Sequence, residues 1–151
     1  MNVVIKEEQL NISNVYYTEP IQNIIMDNSQ FIKVVYSTPD IIMNGIFLLI
    51  ELKHTVKERY FKKIKISYDL AINKTMLYRI YEIENQLLTK YNKLNKTPRK
   101  IIYETLCSGV IKMFPNNESD IINNNNSFIL KISGIWENDT EYGLTYKLLC
   151  I

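Results

Sequence analysis

The ending Ile132–Ile151, ISGIWENDTEYGLTYKLLCI, constrains this chain most, because two alternating apolar and polar runs flank a polar turn. Successive side chains of a strand point to opposite faces, so a period of two buries one face and leaves the other in water. The resulting hairpin carries Trp136, the only tryptophan, just before its turn and the basic-aromatic pair Tyr146-Lys147 on the return, and can offer rings and a cation on the face left open. Rings and a cation are what a single-stranded nucleic acid requires of a protein surface, so the pattern points to binding rather than catalysis.

Strand signals dominate the rest of the chain. Val3–Ile5 and Leu10–Tyr17 are short β-like runs, and Phe31–Tyr36 leads to a break at Ser37-Thr38-Pro39-Asp40, where proline cannot donate to a ladder. Gly45–Leu52 is uniformly apolar, as in a strand buried on both faces. Lys62–Tyr68 alternates, with Ile64, Ile66 and Tyr68 on one face and Lys63, Lys65 and Ser67 on the other, so its basic side chains project together. Between Asn73 and Leu94 the residues Met76, Ile80, Ile83, Leu87, Tyr91 and Leu94 recur at helical steps, which predicts one helix with a core-facing stripe ended by Thr97-Pro98. Ile101–Cys107 and Gly109–Phe114 read as strands, with a bulge or bend at Gly109, and the Asn-rich Pro115–Ser127 reads as a solvent loop. There is no internal repeat or linker, and 151 residues suffice for one core without a disulfide or metal staple, so residues 1–151 read as one domain.

Composition is that of an ordinary soluble globular protein, 46% hydrophobic and 23% charged, and the net charge of +2 does not name a partner. The distribution of charge says more. From Lys53 to Lys65 there are six basic residues, Lys53, Lys57, Arg59, Lys62, Lys63 and Lys65, against Glu58 alone. Lys90, Lys93, Lys96, Arg99 and Lys100 form a second basic segment with no acid, and the remainder of the chain carries the compensating negative charge. Two basic segments in an otherwise acidic chain suit an anionic polymer, provided that they come together in space.

Other classes find little support. His54 is the only histidine, so a histidine-based metal site or Ser-His-Asp arrangement has no second one to draw on, and four glycines leave no phosphate-cradling loop. Cys107 and Cys150 lie in apolar runs without CxxC spacing and read as small buried hydrophobes in a reducing compartment. The start, MNVVIKEEQL, has acids where a secretory signal would be apolar, and the longest apolar run, Ile41–Ile50, contains Asn44 and is too short to span a bilayer. These features lead us to expect a soluble intracellular protein away from membranes. Ala71 is the only alanine while Ile, Asn, Lys and Tyr abound, which indicates AT-biased coding of the kind found in some viruses, plasmids and parasites.

Several short strands, one helix and a closing hairpin match a small β-barrel capped by a helix, the OB plan, although a two-layer α+β sandwich gives a similar order. Gly134-Ile135-Trp136 followed by Tyr142-Gly143-Leu144-Thr145-Tyr146-Lys147-Leu148-Leu149-Cys150-Ile151 resembles the last hairpin of the replication single-stranded-DNA-binding proteins of phages and large DNA viruses. Thr38-Pro39, Ile41-Ile42-Met43 and Gly45 are similar to the Thr-Pro segment of the same family. The resemblance covers about a fifth of the chain and omits the acidic tail common in that family. It implies a mainly β, OB-like five-stranded barrel with a capping helix and extra strands. It also implies a cofactor-free protein of a viral or virus-like element, localised in the host cytoplasm, that coats and protects single-stranded DNA in replication, recombination or repair. Its partners would be single-stranded DNA and replication proteins; preference between DNA and RNA, and self-association, stay open. The expected contacts are Lys53, Lys57, Arg59, Tyr60, Phe61, Lys63, Lys65, Trp136, Tyr146 and Lys147, the cations for phosphates and the rings for bases.

Two further readings stand beside this one. Pro39-Asp40 followed by Glu51-Leu52-Lys53 reproduces the PD-(D/E)xK pattern, in which two carboxylates hold Mg²⁺ and a lysine serves the attacking water, so a metal-dependent nuclease is an alternative. A non-catalytic subunit of a viral replication or transcription assembly is the other.

Overall fold

A computed structural model describes residues 3–22, 28–117 and 126–151 of this chain. Its strands in chain order are β1 (Ile5–Lys6), β2 (Val15–Tyr17), β3 (Ile21–Gln22), β4 (Gln30–Ser37), β5 (Ile42–Met43), β6 (Ile46–Glu51), β7 (Thr55–Tyr60) and β8 (Lys63–Tyr68). After helix α1 (Lys74–Tyr91) come β9 (Thr97–Arg99), helix α2 (Ile101–Leu106), β10 (Val110–Met113), β11 (Ser127–Glu137) and β12 (Glu141–Cys150). Much of the expected Asn-rich loop lies outside the described residues. No helix is long and apolar enough to cross a membrane among the described residues.

β11 is the spine of the larger sheet, because both of its edges are used along nearly its whole length. One edge pairs with β12 from Phe128↔Cys150 to Glu137↔Tyr142, the hairpin expected from the alternating ending. The other edge is divided: Ser127–Ile132 pairs with β6, and Gly134–Glu137 pairs with β4. The changeover falls at a register shift between Ile132 and Gly134. Glycine is required there, because a Cβ on Gly134 would lie 2.2 Å from the Ile32 carbonyl oxygen and 2.7 Å from the Phe31 ring. Beyond this contact β4 continues away from β11 and pairs with β2 and β5. The smaller sheet is three-stranded, in the order β10-β8-β7.

The mainly β expectation holds, with one long helix, but the sheets are not closed barrels. Among the described residues no ladder joins β10 to β12 where they approach, and Thr105 and Ser108 at the end of α2 line the groove between them. Tyr146 on β12 donates its hydroxyl hydrogen to Thr105 Oγ1 at 2.9 Å, which ties β12 to α2 beside this groove.

Buried apolar side chains from both sheets and both helices form one cluster, including Leu48 and Leu130 of the large sheet, Ile64 and Ile66 of the small one, and Ile80 and Leu87 of α1. The helical stripe is met at Met76, Ile80, Ile83 and Leu87, whereas Leu94 lies beyond the helix and is 90% exposed. Asn73 sets the helix start against the corner after β6: its amide donates to the carbonyls of Lys53 and Asp69 and accepts from the Lys53 N–H.

Ile101–Cys107, expected as a strand, is instead helical over Ile101–Leu106. Its β-branched and aromatic residues favour extended backbone, but a six-residue helix is decided by its end groups and packing. Glu84 of α1, only 1% exposed, accepts from the Ile102 N–H at 3.0 Å and the Tyr103 N–H at 2.9 Å. Those are two of the N–H groups that a helix start leaves without partners. Ile102 and Leu106, one turn apart, then bury their side chains in the shared core.

Burial raises the Glu84 pKa, and the two N–H bonds pull against that rise. An acid with a raised folded-state pKa holds its proton longer in the folded chain than in the unfolded one, so its contribution to stability declines as pH rises through that window. Glu84→Ala should cost about 2–4 kcal/mol in urea denaturation, since it leaves two buried N–H groups unpaired. Glu84→Gln, which keeps one acceptor, should recover part of that loss and flatten the pH dependence just above the ordinary glutamate range.

Candidate nucleic-acid interface

The β7–β8 hairpin places basic and aromatic residues together through strand alternation. On β8, Ile64 and Ile66 are buried while Lys63 and Lys65 point the other way. Directly paired residues of antiparallel strands share a face. The pairs Tyr60↔Lys63 and Glu58↔Lys65 on one side, and Lys112↔Lys65 on the other, therefore put Tyr60, Glu58 and Lys112 on the outer face with Lys63 and Lys65.

Cations and rings interleave on this face. Lys112 Nζ lies 4.1 Å from the Tyr60 ring centroid, and Lys63 Nζ lies 5.0 Å from that of Phe114, which follows β10. Phe61, in the two-residue loop between β7 and β8, meets Tyr60 edge to face at 4.9 Å. Phe61 and Phe114 are 83% and 66% exposed, so substantial aromatic surface faces water. Glu58 is the one acid in these pairs, bridged to Lys65 at 3.4 Å in an exposed pair that water and salt weaken.

Lys112 also lines the groove between β10 and β12 together with Tyr146 and Lys147. It therefore connects the expected hairpin contacts Tyr60, Phe61, Lys63 and Lys65 with Lys147 from the far end of the sequence. Lys112 and Phe114 were not among the expected contacts. The signal for them is the alternation of Ile111-Lys112-Met113-Phe114, which repeats on a shorter run the pattern of β8.

The other expected residues stand elsewhere. Lys57 and Arg59 pair with Ile66 and Ile64, which turns them to the opposite face of the hairpin. Lys53 lies at the corner after β6 and lines a pocket with Glu7, Glu8, Glu51 and Arg79. Tyr146 is half-buried with its hydroxyl engaged by Thr105. Trp136 is also half-buried and pairs with Gly143, where a Cβ would come within 2.8 Å of the indole ring.

The second basic segment is absorbed by internal partners. Lys96 bridges buried Glu137 at 3.2 Å, Arg99 bridges Glu141 at 2.6 Å, and Lys100 donates to the Tyr81 hydroxyl at 3.2 Å. Lys90 donates to the Ile12 carbonyl at 2.7 Å, and Lys93 lies 5.2 Å from the Tyr91 ring centroid. Most of the second segment thus tethers strands and helices, whereas Lys63 and Lys65 of the first line an open sheet face.

The residues of the nuclease pattern are separated in the fold. Asp40 occupies the bend between β4 and β5, whereas Glu51 and Lys53 line the pocket at the corner after β6, of which Asp40 is not part. Among the described residues, no group of three or more His, Cys, Asp or Glu is placed to hold a metal ion.

Gly143→Ala should displace the Trp136 ring and lower stability by about 1–3 kcal/mol, the usual cost of overpacking, as read by thermal unfolding. Trp136→Leu in the same background should restore part of the loss; no restoration would mean that the tight contact is with something other than the indole.

Comparison with known proteins finds no family model, curated protein or solved structure that matches this chain.

Proposed function

We propose that this chain is a single-stranded nucleic-acid-binding protein, with single-stranded DNA as its ligand, acting to coat and protect exposed strands. One observation carries the reading: Lys63, Lys65 and Lys112 share the outer face of the three-stranded sheet with Tyr60 and Phe114, with Phe61 at its rim. Phosphates are attracted to such cations with release of counterions, and unpaired bases stack on open rings at ~1–3 kcal/mol each. A duplex hides its base faces, so it gains only the first term. Lys147 extends the cationic track across the groove from Lys112.

The finer fold assignment, an open OB-like arrangement, belongs to the same proposal. Its support is the single long helix packed with the strands in one core, and the approach of β10 to β12 where a barrel would close. Binding on this face needs no cofactor and no closure, because the rings and cations act from one sheet.

The deciding experiment is fluorescence anisotropy with labelled single-stranded and duplex oligonucleotides in Mg²⁺, with the oligonucleotides then run on a denaturing gel. Intact oligonucleotide with clear single-strand preference supports the proposal, and cleavage lost on replacing Asp40 or Glu51 would replace it with the nuclease. Lys63→Glu, Lys65→Glu and Lys112→Glu should each weaken binding severalfold and lower the slope of affinity against salt. Lys93→Glu, which lies just after α1 and not on this sheet face, should leave both unchanged. Equal effects at all four positions would remove the sheet face as the binding site.

A further inference from the structure

We infer that the β7–β8 hairpin tip recognises the junction between a single strand and a duplex, with Phe61 capping the terminal base pair. This rests on the single-strand reading above and names the substrate more closely. The first observation is the backbone at Phe61, which has φ 55. Four residues other than glycine adopt positive φ among the described residues: Asn28, Asn92, His54 and Phe61. Asn and His are enriched in that region, while a bulky aromatic residue is an outlier whose presence calls for a reason.

Packing does not supply the reason, because the Phe61 ring is 83% exposed. A residue that contradicts both its turn geometry and its burial is the kind of local conflict that marks function. The second observation is orientation. Tyr60 and Phe61 lie 4.9 Å apart with ring planes at 87°, so they cannot carry consecutive members of one parallel base stack. Tyr60 is held by Lys112 and Phe114 by Lys63, while Phe61 projects from the loop.

A strand running over Tyr60 toward the tip must therefore leave its stacking direction at Phe61. The end of a duplex provides that turn, since its terminal pair offers a flat apolar face and its overhang departs from the rim. The charges fit this division. Lys63, Lys65 and Lys112 lie on the overhang side, whereas Lys62 in the loop and Arg59 on the opposite hairpin face are placed to meet the phosphates of the paired segment.

The test compares a duplex bearing a single-stranded overhang, the same overhang alone and the blunt duplex, with wild type and Phe61→Asn. Asn suits positive φ, so the variant should unfold at or above the wild-type temperature. Wild type should bind the overhang duplex about tenfold more tightly than the free overhang, the worth of one stacked base. Phe61→Asn should erase that difference, costing the overhang duplex about tenfold more affinity than it costs the free overhang. Equal wild-type affinity for overhang duplex and free overhang would overturn the junction proposal and leave the coating function standing. Failure to bind either would overturn both. A clear fall in unfolding temperature for Phe61→Asn would make the ring a packing residue and overturn the junction role.

Discussion

The large sheet depends on the two edges of β11 and on the absence of a side chain at Gly134. One edge carries β12, and the other passes from β6 to β4 over the register shift after Ile132. At that point the chains approach so closely that a single methyl group would collide with the Ile32 carbonyl. The main-chain groups of β11 are thereby paired on both sides, which is the condition for burying them without loss. The inner face presented by β6, β11 and β12 is what the helix and the small sheet cover, so the position of the outer Lys and aromatic face follows from this strand.

The outer face of the small sheet is built at a cost in exposed apolar area. Tyr60 and Phe114 are each accompanied by a lysine, an arrangement that holds a ring by its face and keeps the cation beside it. Elsewhere the protein uses its cations differently. Lys96 and the Tyr91 hydroxyl both meet the buried carboxylate of Glu137, and burial together with that carboxylate raises the Tyr91 pKa so that the hydroxyl stays a donor. Charge of one sign thus performs two tasks, neutralising a buried acid at one end and decorating open rings at the other.

Alternation was legible wherever one side of a strand is buried and the other is wet. Lys63–Tyr68 is of that kind and its burial follows the period of two, and the closing hairpin forms as expected, although on β12 Tyr142, Gly143 and Leu144 are buried in succession. The helical stripe of Met76, Ile80, Ile83 and Leu87 was legible for the corresponding reason. Ile101–Leu106 was not, because the groups that stabilise its first turn belong to Glu84, seventeen positions before the helix begins. A short run with strand propensity becomes helical when its N–H groups find a buried carboxylate and its Ile102 and Leu106 find the core.

The candidate site divides in the same way. The sequence by itself determined that Lys63 and Lys65 share one face and that Tyr60 and Phe61 lie beside them, since strand period and chain proximity require nothing more. Only the tertiary structure decided that Lys112 and Phe114 join that face and that Lys147 lies across the groove from it. It also decided that the second basic segment is spent on internal partners. The physical reason is that strand register and packing between distant segments set which charges meet, whereas periodicity within one segment sets only which way each side chain points.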